Sequence, residues 1–441
     1  MVQVPVNVPV ELFSSGNNAT HWTYWELSPY WKINNERITN KGQSFDGVVD
    51  LNYKVNKNID VTYRAGFNTT SFNRVEYFNG YSQEVVYWDS PLDYISSYEV
   101  GNLNTRRIYS DLLLNFDYHL TDDISFKANI GNNITNNEIN SLSVKGEKLV
   151  IPGLYNISNV TGNTTSNDFK SKERTYAFFA NTDFGYKDYL YLNLTARKDW
   201  TSVLSKDNNS FFYYSGGVSF IPTKAFENFG GDVLTYAKVS ASYVKVGNSI
   251  VGPYDINDRF VSASSAGFPY TSINSYVQTT SITSANLENE FNLSREFNLN
   301  LEFFKKRITF DFGYYYSDNK NQILQTSPST TSGASSATIN VGETVSQGLE
   351  LDLGVTPFKT KDFTWDFRIG YSAPKTKVTK VTDSSNQVAI GTYLGTVGIA
   401  AITGEEFPLI VGTGYLRDDA GNVVIDESTG DPLKAANVKL G

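Results

Sequence analysis

Leu349-Glu350-Leu351-Asp352-Leu353-Gly354-Val355, followed after a polar turn by Phe363-Thr364-Trp365-Asp366-Phe367-Arg368-Ile369-Gly370-Tyr371, decides the fold. Every second residue is apolar, and those between are charged, polar or glycine. Successive side chains of an extended chain point to opposite faces, so each run predicts a strand with one greasy and one wet side. The turn from Pro357 to Asp362 folds the two runs into a hairpin. A helix would need an apolar repeat near 3.6, which is found almost nowhere in the chain.

Working outward, the same pattern recurs. Gly47, Val49, Leu51, Tyr53 and Val55 lead through Asn56-Lys57-Asn58 into Ile59, Val61, Tyr63, Ala65 and Phe67. Leu112 to Leu120 turn at Thr121-Asp122-Asp123 into Ile124, Phe126, Ala128 and Ile130, and Tyr176 to Phe184 pass through Lys187-Asp188 into Leu190, Leu192, Leu194 and Ala196. Phe212 to Phe220 join Val233 to Ala241 through a linker with Pro222 and Gly230-Gly231, and Leu293 to Phe303 join Ile308 to Tyr316 across Lys305-Lys306-Arg307. Six hairpins predict twelve strands. The connections between hairpins, at 69–106, 132–172, 247–286 and 318–337, are polar and read as loops far longer than the usual about four to six residues. Tight turns at one end and long loops at the other are the asymmetry of an outer-membrane barrel, whose strands cross lipid in about 9–11 residues. A soluble sandwich or propeller also alternates, but its loops should be comparable at both ends. Tyr53, Tyr63, Tyr118, Tyr186, Tyr189, Tyr191, Tyr314 and Tyr316 lie toward strand ends, where interfacial aromatic girdles sit.

Composition agrees. Aromatics are 14% of the 441 residues while Pro numbers only 13, a bias that suits pleated strands. Without Cys there is no disulfide, thiolate metal site or cysteine nucleophile, and His21 and His119 are the only histidines, which excludes most catalytic and metal chemistry. A net charge of -9 without a Lys/Arg cluster argues against nucleic acid and against anionic lipid. No apolar stretch approaches the roughly 18 residues of a membrane-spanning helix. Met1-Val2-Gln3-Val4-Pro5 lacks the basic start and apolar core of a signal peptide, so the chain is expected to be either intracellular or a piece of something longer.

Several segments carry a family resemblance. Leu194-Thr195-Ala196-Arg197-Lys198-Asp199-Trp200-Thr201-Ser202 with Asn209 to Ser219, the run from Asn300 to Leu351, Ser28-Pro29-Tyr30-Trp31, and Gly404 to Pro432 with Asp418-Asp419-Ala420-Gly421-Asn422 resemble, in family order, segments of SusC/RagA-like TonB-dependent transporters of Bacteroidota. The resemblance implies an all-β, antiparallel transmembrane β-barrel in the bacterial outer membrane, incomplete at about 12–14 strands of a parent with about 22. It implies import of oligosaccharides or peptides energised by TonB through a plug segment absent from this chain, a SusD-like surface lipoprotein as partner, and no enzymatic activity or cofactor. The expected division is a loop segment and lead-in at 1–42, six transmembrane hairpins at 43–378, and a late hairpin region with a loop at 379–441. The competing readings are a passive pore or adhesin barrel without energy coupling and, third, a soluble carbohydrate-binding sandwich.

Candidate ligand contacts are the loop aromatics Trp22, Trp25, Tyr30, Trp31, Trp88 and Tyr270, which could stack on sugar rings or clamp peptide side chains, although loop self-packing explains such residues more simply. The polar face carries Asp50, Lys54, Arg64, Lys127, Asp183, Arg197, Glu302, Asp311, Glu350, Asp352 and Arg368, a mixed set expected to solvate a lumen without selecting charge. His119 beside the turn reads as a hydrogen-bonding residue, and Ser125 across that turn is too ordinary a partner for a catalytic pair. Asp418 to Asp431 is rich in carboxylates but lacks calcium-loop spacing and reads as a turn. Asn18-Ala19-Thr20 and Asn68-Thr69-Thr70 match a glycosylation pattern only formally.

Overall fold

The computed structural model describes residues 21–23, 26–27, 29–80, 95–257, 259–262, 275–326, 328, 330–382, 385–394, 397–418 and 420–439. Twelve long strands are present: β1 (Glu36–Lys54), β2 (Ile59–Phe78), β3 (Ser97–His119), β4 (Ile124–Glu147), β5 (Thr165–Tyr186), β6 (Leu190–Thr201), β7 (Ser210–Phe220), β8 (Leu234–Asn248), β9 (Glu290–Phe303), β10 (Ile308–Thr326), β11 (Ser336–Lys359) and β12 (Thr364–Lys380). They lie side by side in chain order within a sheet of thirteen; the thirteenth, Ser281–Thr283, runs parallel to the start of β11. From β5 to β12 each neighbouring pair is antiparallel.

The turns explain the connectivity at one end. Lys187 and Asp188 both take positive φ, 48° and 56°, the left-handed pair whose twist matches that of the flanking strands. Thr121 Oγ1 accepts from the amides of Asp123 and Ile124 at 3.3 and 3.1 Å, closing the turn between β3 and β4. Asn56 Oδ1 accepts from the Asn58 amide at 2.8 Å between β1 and β2, a local bond that competes with the strand and ends it.

Two compact units divide the chain: one comprises Met1–Asp50, Arg64–Ser110 and Thr135–Arg174, the other Leu51–Tyr63, Asp111–Ile134 and Thr175–Gly441. In the second, register aligns the apolar positions into rows that run from strand to strand: Val239 faces Leu299, Leu299 faces Phe312, Phe312 faces Leu351, and Leu351 faces Tyr371. This greasy face is uncovered. Leu51 is 60% exposed, Phe178 57% and Ile369 51%, so no second sheet packs on it and the sandwich reading fails. Buried apolar clusters are small and lie elsewhere: Val203, Leu204, Leu287 and Ile323 in one, Val378, Val381 and Ala401 in another.

Two sequence expectations are corrected. Strands β1 to β5 are 19 to 24 residues long, about twice what lipid requires, and they absorb 69–78, 97–106, 132–147 and 165–172 from the stretches read as loops; β10 likewise runs on to Thr326. The reason is that ladder hydrogen bonds belong to the backbone, so a strand continues where both faces are polar. Asn102 Nδ2, for example, donates across to Asn73 Oδ1 at 2.9 Å. The resemblance suggested a late hairpin at 404–432; Gln387–Leu394, Val397–Ile402, Leu409–Tyr415 and Lys434–Lys439 instead form a four-stranded antiparallel sheet of their own. Within it Arg417 bridges to Val423 and Ile425 to Pro432.

Candidate functional site

The polar face of the larger unit is built from the residues that alternate with the greasy rows. Asn52 Nδ2 donates to Asp60 at 3.1 Å and to Thr62 at 2.9 Å, and Asn115 Nδ2 reaches the same Asp60 oxygen at 2.7 Å. Asn193 donates to Asp183 at 2.6 Å, and Asn300 to Asp311 at 2.7 Å. Farther along, Arg368 Nε meets both oxygens of Asp352 at 2.7 and 2.8 Å. Asn298, Asn300, Asp311, Glu350, Asp352 and Arg368 line a groove of about 430 Å3 on β9 to β12. Glycine opens room on this face: a Cβ at Gly348 would lie 2.6 Å from the Tyr315 ring that covers it from the facing strand.

The mixed charges expected on this face are largely spent on one another. Lys127 pairs with Asp117 at 3.3 Å, Arg197 with Asp199 at 2.7 Å and Lys306 with Glu302 at 3.2 Å. In the smaller unit Arg64 pairs with Asp50 at 2.6 Å. What remains is a wall of amides, hydroxyls and carboxylates, several held by Asn side chains, able to give and take hydrogen bonds with a polar solute.

In the smaller unit Trp31, in the helix α1 (Pro29–Asn35), sets its ring edge-on to Phe78 at 5.5 Å, and Asn35 Nδ2 donates back to the Trp31 carbonyl at 2.9 Å. Tyr30 lies in the same helix. Trp22 falls in the short strand His21–Thr23, its side chain outside the described residues; Trp25, Trp88 and Tyr270 lie outside them altogether. Sequence reading missed a neighbouring aromatic group. Tyr155 stacks on Tyr77 at 3.7 Å with Tyr98 beyond it at 6.5 Å, and its hydroxyl donates to Asn79 at 2.9 Å. Tyr155 lies 57 and 78 positions from Tyr98 and Tyr77, so no local pattern could join it to them. Glu138, beyond the lipid-crossing length of β4, accepts from Lys172 at 2.8 Å and from Arg106. Lys172, then Asn136 and Arg106, hold its carboxyl well below the usual range, at about 2.

Ser125 Oγ leans on the Gly185 carbonyl at 3.5 Å, and no Ser–His hydrogen bond or metal-holding cluster occurs among the described residues. Asp418 Oδ1 accepts from the amides of Ala420 and Asn422 at 3.0 and 2.8 Å, and Asp426 Oδ1 from the Ser428 amide at 2.8 Å. The Asn422 side chain, and then these amides, lower the Asp418 carboxyl; the Ser428 hydroxyl, and then its amide, lower that of Asp426, leaving the acidic stretch a pair of turns, as its spacing predicts.

Comparison with known proteins agrees with this architecture. The TonB-dependent receptor P26 of Formosa agariphila is 28% identical over 286 residues, which are 63% of this chain and 28% of that protein. TonB-dependent receptor SusC of Bacteroides thetaiotaomicron is 26% identical over 243 residues, 51% of this chain and 24% of its own. Among solved structures the RagAB peptide transporter superposes with a TM-score of 0.78 at 15% identity, covering 96% of this chain and 46% of that one. The siderophore receptor PiuA of Acinetobacter baumannii gives 0.51 at 13% identity, over 92% and 56%. This chain thus spans about a quarter of the length of these curated relatives. The family model for the TonB dependent receptor-like β-barrel matches residues 7–424. Alternating strands with an uncovered greasy face and an amide-rich polar face are the wall such a barrel needs, and the chain belongs to this family of outer-membrane, non-enzymatic receptor barrels.

Proposed function

We propose that the chain forms barrel wall of a transporter that imports oligosaccharides or peptides and is energised through TonB, with 43–378 supplying the wall. The observation that carries the reading is the polar face itself: acceptors and donors such as Asn300, Asp311, Asp352 and Arg368 are ranged across consecutive strands and bond to one another across them. A surface like that suits a polar, hydrogen-bonding cargo of either kind and would bind it weakly enough to release it. SusC and RagAB as relatives favour glycan or peptide cargo and a SusD-like surface lipoprotein as the partner that caps the barrel. Trp22, Trp25, Tyr30, Trp31, Trp88 and Tyr270 are the aromatic contacts proposed for capture.

Uptake of fluorescently labelled oligosaccharides and peptides, measured in cells producing the full-length protein with and without TonB, tests this reading. Uptake of one cargo class is expected to vanish without TonB. Uptake that persists without TonB would support the passive pore instead, and no uptake of either class would overturn the proposed cargo.

A further inference from the structure

The greasy face of the larger unit changes character within one step along several adjacent strands. On β6 the apolar positions Leu190, Leu192, Leu194 and Ala196 are followed by Lys198, and on β8 Val239, Ala241 and Tyr243 are followed by Lys245. Strand β9 runs the other way, from Leu299 and Phe297 to Arg295, and on β10 Phe312, Tyr314 and Tyr316 give way to Asp318 and Lys320. Register sets the cations on successive neighbouring rows: Arg295 lies between Tyr243 and Tyr316, Lys245 one step on between Tyr214 and Leu293, and Lys198, opposite Phe212, one step beyond the pair of Ala196 with Tyr214.

Three of these cations are seated on rings. Lys198 Nζ lies 5.1 Å from the Trp200 centroid, Lys245 Nζ lies 4.2 Å from that of Phe291, and the Arg295 guanidinium lies 5.7 and 5.5 Å from Tyr243 and Tyr316. At the greasy-face positions of β6 to β10, Asp318 is the one carboxylate among the described residues, and it pairs with Arg295 at 3.2 Å. No ion pair joins Lys198, Lys245 or Lys320 to a carboxylate among the described residues. The face that is apolar where it meets lipid tails therefore turns cationic among aromatic rings, the mixture found at the level of headgroups.

We propose that this row binds the phosphate of an anionic glycolipid in the outer leaflet. Charge complementarity and continuity with the lipid-facing rows commit it to a membrane lipid: the acyl chains would cover the Leu and Phe positions while the phosphate meets the ammonium groups. Net charge hid this surface from sequence reading, because the cations are scattered along the chain and only strand register brings them onto adjoining rows.

The test uses the full-length protein in non-ionic detergent micelles doped with phosphorylated lipid A or with the same lipid dephosphorylated. Thermal unfolding is expected to shift upward by several degrees more with the phosphorylated lipid. The triple variant Lys198→Gln, Lys245→Gln, Arg295→Gln should lose more than half of that difference, whereas Lys127→Gln on the polar face should keep it. Equal shifts with both lipids, an undiminished difference in the triple variant, or an equal shift produced by inorganic phosphate alone would overturn the proposal. Should the triple variant not fold, native mass spectrometry of the unaltered protein decides: preferential retention of phosphorylated lipid supports the site, and equal retention of both lipids overturns it.

Discussion

Two stretches of the structure meet their surroundings differently. In the larger unit, alternate positions such as Leu192 and Leu194 are apolar, about 40% exposed and uncovered by any other element. In the smaller unit, Asn73, Asn102 and Ser71 bond to one another across strands, and Arg106, Glu138 and Lys172 form a charged cluster. Both stretches are strands of comparable backbone geometry. The difference teaches that the backbone ladder makes the strand, while the side chains state which solvent each face is meant to touch.

The sharpest way to break this contrast is to put a charge on each surface. Leu192→Arg should cost about 2–4 kcal/mol of folding stability in a bilayer if that position is near the midplane, whereas Asn104→Arg in the smaller unit should change stability by less than about 0.5 kcal/mol. Urea unfolding in lipid vesicles measures both, and equal effects would contradict a lipid-facing Leu192. Next in size, Gly348→Ala should cost about 1–3 kcal/mol, because the new methyl group meets the Tyr315 ring and one of them must move. Adding Tyr315→Ala should remove most of the Gly348→Ala penalty, and a double-mutant cycle without coupling would refute the contact.

A pH series tests the charged cluster of the smaller unit. Glu138 has a folded pKa lowered to about 2, below the usual glutamate value of about 4.3, so its contribution to stability is complete above the unfolded value. That contribution drains away as pH falls from there through about 2. Glu138→Gln should therefore flatten the acid limb of the stability curve, and superimposable curves would show that the cluster does not act. The smallest effect is expected at the polar face of the larger unit, where Arg368 is 74% exposed beside Asp352. Asp352→Asn should cost no more than about 1 kcal/mol, since solvent screens such a pair, and any effect on cargo uptake should exceed its effect on melting.

How far the sequence could be read follows from the same contrast. Where one face meets lipid and the other water, as from Leu190 to Leu194 or from Leu349 to Val355, hydropathy alternates and each strand and turn is legible. Where both faces meet water, as at 97–106 and 135–147, apolar residues are too sparse to mark every second position, and extended strand reads as loop. The polar-face residues Asp311, Asp352 and Arg368 were visible as the off-beat of the pattern. Their pairing partners, and the stack of Tyr77 on Tyr155, were not, because such contacts join positions far apart in the chain.

The chain alone determined that its strands have a greasy side and a wet side, that tight turns join them in chain order, and that thiol chemistry has no place in it, since these follow from local spacing and composition. Register, strand length beyond the lipid, the separate sheet at 387–439 and the gathering of Lys198, Lys245 and Arg295 on adjoining rows were decided only in three dimensions. Each of those depends on which backbone groups meet across neighbouring strands, and hydrogen bonds between backbones carry no signature in the side chains that a sequence records.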